Sequence, residues 1–153
     1  MSTASESGTP LPFAARAGTR ELDRPSCVER LKSHSVGRIG WQAADGPMIL
    51  PITYAWYDDT IVFRTSPYGV LSELIRPRKV ALHVDELDEG SRSGWSVLVR
   101  GTVHPVASPS ELVRLWTVDD LSPWADGVRN LFMSITPHHI TGRVIMPSRS
   151  PIT

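Results

Sequence analysis

Charge, hydroxyls and a helix start follow one another directly in residues 61–75 of the 153-residue chain, IVFRTSPYGVLSELI. The β-branched run ends in Arg64-Thr65-Ser66. Val70, Leu71, Leu74 and Ile75 then recur at helical spacing until Pro77 stops them. A strand that hands a guanidinium and two hydroxyls to a helix N-terminus gathers fork-shaped donors, free N–H groups and the positive end of a dipole. Such groups hold a phosphate monoester. The same residues also read as a helix cap, Ser66, beside a solvated strand arginine, Arg64, and the local pattern leaves both readings open.

The other reactive side chains carry less. Cys27 is the single cysteine, which excludes an internal disulfide and a multi-thiolate metal site. With no His and acid nearby it reads as a small buried side chain. His138 and His139 are adjacent in a strand-like stretch, so they are expected on opposite faces, unable to share a metal ion. Asp85, Glu86, Asp88 and Glu89 surround Leu87 at the end of a strand and read as a solvated turn, without the spaced ligands and Gly of a calcium loop. His83 and His104 read as surface histidines rather than axial haem ligands. No Ser-His-Asp or Cys-His pattern emerges, and no metal is expected.

The elements that must position these groups are mostly strands. Asp23 caps a short helix running to Ser33, with Cys27, Val28 and Leu31 along one side. From Val36 the period becomes two. VGRIGWQA, MILPITYAWY and TIVFRT are β-rich runs separated by turns at Ala44-Asp45-Gly46-Pro47 and Asp58-Asp59. KVALHVDELD is a further strand. GWSVLVRGTVHPV alternates Trp95, Val97, Val99, Gly101 and Val103 against Ser96, Leu98, Arg100, Thr102 and His104. Ser108-Pro109-Ser110-Glu111 has the capping-box pattern of a second helix, expected to bury Leu112, Leu115 and Trp116. Residues 131–145 return to strand character. Most of Trp41, Trp56, Trp95, Trp116 and Trp124 are expected in the core. The fold class is mainly β: a small six-stranded antiparallel barrel with short interleaved helices, closed to remove its edges.

Composition narrows the partners. Sixteen Lys and Arg balance sixteen Asp and Glu, so no long-range field draws the chain to nucleic acid. No run approaches the roughly 18 apolar residues of a membrane span. The lone cysteine and the absence of a secretion-length apolar run at the start suggest the cytoplasm. Residues 1–20 read as a Ser-, Pro- and Ala-rich tail, 21–147 as the domain and 148–153 as a second tail.

Taken together, ELDRPSCVERLKSHSVGRIGW, PITYAW, IVFRT, GWSVLVRG, LSPW and ITGRVI resemble the actinobacterial branch of the pyridoxamine 5′-phosphate oxidase-like, FMN-binding split-barrel family. The likeness spans roughly residues 21–146. It implies a homodimer with a flavin at each end of the interface and a small-molecule substrate. Arg64 and Thr65 would meet the flavin phosphate, with Ser66 adding a hydroxyl. Pro51, Ile52, Thr53 and Tyr54 would run along the ring system. Trp95 and Ser96 would reach in from the partner subunit, and Trp124 would wall the pocket. Val70 and Leu71 open the helix where relatives often read GxKL, so a phosphate-binding lysine is missing; Arg76, Arg78 and Lys79 are candidate substitutes. The implied cofactor is FMN, with a deazaflavin, haem or an empty site as alternatives. The implied activity is reduction of a small acceptor with electrons from NAD(P)H or a reduced deazaflavin. The alternative is a non-catalytic dimeric flavin- or haem-binding or stress protein, or a member that has lost its cofactor.

Overall fold

The computed structural model describes residues 18–118, 121 and 130–147. Seven strands and two α-helices follow in the order β1 (Gly18–Leu22), α1 (Arg24–Ser33), β2 (Val36–Ala43), β3 (Gly46–Tyr57), β4 (Thr60–Thr65), β5 (Arg78–Asp88), β6 (Ser93–Pro105), α2 (Pro109–Leu115) and β7 (Leu131–Met146). The antiparallel sheet runs β1-β7-β4-β3-β2-β5-β6, and a further β7–β6 pairing closes it. Six strands therefore form the ring, as the alternating runs imply, and β1 is added outside it. Strand β7 makes the closure possible by its length. Its first five residues pair with β4, its last five with β1, and β6 follows it almost throughout.

Alternation fills the ring. Ile39, Trp41, Ile52, Tyr54, Ile61, Phe63, Leu82, Val97, Val99, Met133 and Ile135 are buried in one cluster, with Cys27 and Leu31 of α1 closing one side. Each fully buried Leu, Ile or Val contributes about 1.5–3 kcal/mol. A second, smaller cluster lies on the outer face of the β3–β4 hairpin, where Ala55, Val62 and Phe132 meet Leu115 of α2 and Leu121. Asp58 and Asp59 both take positive φ, 49° and 58°, as a two-residue hairpin turn of type I′ requires.

Helix α1 is capped as its sequence predicts: the Asp23 carboxylate accepts from the Ser26 N–H at 2.9 Å, which lowers its pKa. Gly142 lets this helix lie close on β7, since a Cβ there would stand 2.7 Å from Cys27 Sγ.

Several elements differ from expectation. Strand β1 starts at Gly18, inside the stretch expected as tail; it has little apolar pattern and is held by backbone pairing to β7. Residues Val70–Ile75 form a 3₁₀ helix rather than an α-helix, with Leu71 and Leu74 plugging the barrel end. Six residues before a proline are too few to sustain α-helical turns without a cap, and Gly69 supplies no side chain for one. At α2, Ser108 makes no capping bond to the backbone, and its hydroxyl instead meets Ser110 Oγ at 3.1 Å. Trp116 is not buried by α2; it is 54% exposed. Asp85, Glu86 and Asp88 end β5, as KVALHVDELD predicts, and Glu89 follows in an exposed turn.

The histidine pair is the largest departure. Between Arg100 and Gly101 the β6–β7 register slips, Arg100 facing His139 and Gly101 facing Pro137, so His138 is the extra residue of a β-bulge. Pro137 has no N–H to give the ladder, and such residues collect at bulges. Gly101 accepts the close approach, because a Cβ there would overlap the Thr136 carbonyl oxygen. The bulge turns both His138 and His139 outward, where both line the same cavity.

Candidate functional site

Strand alternation sorts the candidate residues between the two faces of the sheet. Arg64 leaves β4 on the outer face, the side of Val62 and the small cluster, and is half-buried. Its guanidinium carbon lies 4.3 Å from the Trp116 ring centroid and 5.2 Å from that of Phe132. Burial lowers its pKa from the ordinary arginine value, which still leaves it charged. The exposed Trp116, misjudged as core, thus forms one wall against which the fork is held.

Thr65 follows on the inner face and is almost wholly buried. Its hydroxyl donates to the Ser66 carbonyl at 3.5 Å, a long hydrogen bond, on the opposite side of the sheet from the Arg64 side chain. Ser66 does not cap the 3₁₀ helix; its Oγ accepts from the Tyr68 N–H at 3.2 Å. Val70 is 55% exposed, whereas Leu71 is in the core. No helix dipole assists this corner, and Thr65 is turned inward, so its anion-binding capacity rests on the Arg64 guanidinium and the Ser66 hydroxyl. That donor set fits a phosphate ester.

Pro51 and Thr53 share the outer face with Arg64. Ile52 and Tyr54 point inward and are buried. The Tyr54 hydroxyl donates to the Leu31 carbonyl at 2.8 Å, and burial raises its pKa. Of these four, only Pro51 and Thr53 can present side chains to an external ring. Arg78, one possible substitute cation, is turned to Glu73 at 3.8 Å and the Gln42 carbonyl at 3.5 Å. Lys79 lines a different cavity. Trp124 lies outside the described residues.

The second group is on β6. Trp95 packs inward against the main cluster, its ring 4.8 Å from and nearly perpendicular to His34, with Arg30 5.5 Å from its centroid. His34 Nε2 is 3.2 Å from Glu86 Oε2, which fixes that edge of the frame. Ser96 faces the other way, into an outer cleft of about 720 Å³ that it shares with His83, Asp85, Leu98 and Arg143. His83 Nδ1 is 3.4 Å from Asp85 Oδ2, and Arg38 lies 4.0 Å from the other oxygen. An imidazole held by a carboxylate at Nδ1 is equipped to exchange a proton at its other nitrogen. This pairing was legible in the spacing of His83 and Asp85, two residues apart on one face of the predicted strand KVALHVDELD.

The two groups do not meet within one chain. Arg64 pairs with Phe132 and Ser96 with Arg143, eleven residues apart on β7. At about 3.3 Å per residue they are separated by up to roughly 36 Å. Among the described residues, no group of three or more His, Cys, Asp or Glu could hold a metal ion. No described helix is long and apolar enough to cross a membrane.

Comparison with known proteins gives a consistent match. The family model described as pyridoxamine 5′-phosphate oxidase matches residues 23–144. Rv0080, an uncharacterised protein of Mycobacterium tuberculosis, is 31% identical over 137 residues, covering 86% of this chain and 89% of that protein. A crystal structure from Corynebacterium glutamicum, attributed to a pyridoxamine 5′-phosphate oxidase, superposes with a TM-score of 0.73 at 28% identity, covering 86% of this chain and 96% of that one. The FAD binding protein from Mycobacterium smegmatis gives 0.70 at 28% identity, covering 83% and 99%.

Proposed function

Because the chain belongs to the pyridoxamine 5′-phosphate oxidase family, we propose that it is a flavin-binding oxidoreductase. It holds FMN at the interface of a homodimer and reduces a small-molecule acceptor with electrons from NAD(P)H or a reduced deazaflavin. The observation that carries this reading is the Arg64 guanidinium held against Trp116 and Phe132 on the outer face, with the Ser66 hydroxyl following in the next loop. In one copy these groups receive the phosphate. Pro51 and Thr53 continue the same outer face toward the ring. The cleft of Ser96 and His83 comes from the other copy, since the span of β7 keeps the two halves apart in a single chain.

A bound flavin supplies two-electron redox chemistry that no side chain here offers. The protein's own part is to fix the phosphate, exclude water and offer a proton from His83, oriented by Asp85, to the acceptor. A catalytic triad is not required for that work.

The similarity to an FAD binding protein makes the identity of the flavin the first measurement. Protein purified from a flavin-sufficient host should be yellow and release FMN on denaturation, identified by chromatography, and anaerobic NADPH or reduced deazaflavin should bleach it. A colourless protein whose titration with FMN and FAD leaves flavin fluorescence unchanged defeats the reading. Val70, exposed where a cation would strengthen phosphate binding, favours a second reading, a flavin carrier without turnover. Its signature is a yellow protein that neither donor bleaches.

A further inference from the structure

The outward bulge at His138 builds a second polar hollow on the barrel. Lys79 of β5, Arg100 of β6 and His138 and His139 of β7 surround a cavity of about 480 Å³ whose floor includes the small residues Gly40 and Ala81. Among the described residues, no acidic side chain lines it. The Thr102 hydroxyl lies 2.9 Å from His138 Nε2, which fixes that ring in the wall. Four nitrogen-bearing side chains from three strands thus converge with no counter-charge among the described residues, and Lys79 and Arg100 make the hollow hostile to a metal cation.

We propose that this hollow is a binding site for a phosphate-class dianion, either free phosphate or the phosphate of a monoester. Arg100 supplies the planar fork, Lys79 a point charge, and the two imidazoles further donors. The site is separate from the Arg64 corner. Arg64 pairs with Phe132 and Arg100 with His139, seven residues further along β7, or roughly 23 Å at the usual rise.

The test uses the intact protein, titrated with inorganic phosphate in one arm and phenyl phosphate in the other. It is followed by calorimetry and by the imidazole NMR signals of the five histidines. Saturable shifts confined to His138 and His139 are expected. Lys79→Gln with Arg100→Gln, both at exposed positions, should raise the dissociation constant at least tenfold with the thermal midpoint little changed. Saturation in either arm with that loss supports the site, and the tighter arm identifies the free ion or the ester. The inference is overturned by absence of saturation in both arms, by binding that survives the double substitution, or by shifts spread evenly over His34, His83 and His104. Loss of binding in Arg64→Ala instead would also overturn it, because phosphate would then be occupying the other corner.

Discussion

Arg64→Ala isolates the anchoring step. Removing a charge-assisted hydrogen bond to phosphate costs about 1.5–3 kcal/mol. Since 1.4 kcal/mol is tenfold, the FMN dissociation constant should rise about ten- to a hundredfold. The structure places the effect toward the upper part of that range. The guanidinium is half-buried and already held over Trp116 at 4.3 Å and Phe132 at 5.2 Å, so little rotamer freedom is lost on binding. Riboflavin, which lacks the phosphate, supplies the control: its affinity should be nearly unchanged in the variant. Arg64→Lys keeps the charge and loses the fork, and should fall between. Trp116→Ala removes one wall of the fork, a cation–π contact of about 0.5–1 kcal/mol at so exposed a site, and should weaken FMN two- to fivefold. Fluorescence titration measures all four. An unchanged FMN constant in Arg64→Ala, or an equal loss for riboflavin, would refute a phosphate anchored here.

Three further outcomes follow from particular contacts. Gly142→Ala would force a Cβ to within 2.7 Å of Cys27 Sγ and should cost about 1–3 kcal/mol, seen as a lower thermal midpoint; Cys27→Ala in the same chain should recover part of the loss, and strict additivity would place the clash elsewhere. Tyr54 has a raised pKa when folded, so its contribution is complete below the unfolded value near 10 and is lost as pH rises beyond it. Urea midpoints should therefore fall above about pH 10, and Tyr54→Phe should flatten that fall after costing about 1 kcal/mol at neutral pH. Finally, Arg64→Ala and Ser96→Arg homodimers should each bind FMN poorly, whereas unfolding and refolding them as a mixture should restore one good site in each heterodimer; no recovery would mean that the two groups do not serve one ligand.

The ring of strands was legible because its signal is strictly local. Alternation in VGRIGWQA or TIVFRT survives any tertiary arrangement, and the paired aspartates at 58 and 59 mark their turn whatever lies beyond it. The corner at Arg64 was legible in residue types but not in geometry. Apolar spacing alone does not distinguish an α-helix from a 3₁₀ helix across Val70–Ile75, and that distinction removes the dipole from the anion's reckoning. The outward histidines were illegible to strand periodicity for a different reason. Period two assumes an unbroken ladder, and Pro137 breaks it by lacking an N–H. A proline inside a strand-like run, opposite a glycine, was the available signal.

Strand β7 is the reason the proposed function draws its site from two copies. One strand supplies the partner of Arg64 near its start and the partner of Ser96 near its end, so a longer β7 closes the barrel more securely and also drives the two halves of the site apart. No side-chain movement spans that gap, because both groups stand on paired strands whose displacement would open the core. In the proposed homodimer, a second barrel set antiparallel to the first would bring the end of one β7 beside the start of the other. Such a pairing is isologous and places two equivalent sites at the seam, so that cofactor binding and association reinforce each other. Dilution should then release flavin, and added flavin should hold the dimer together.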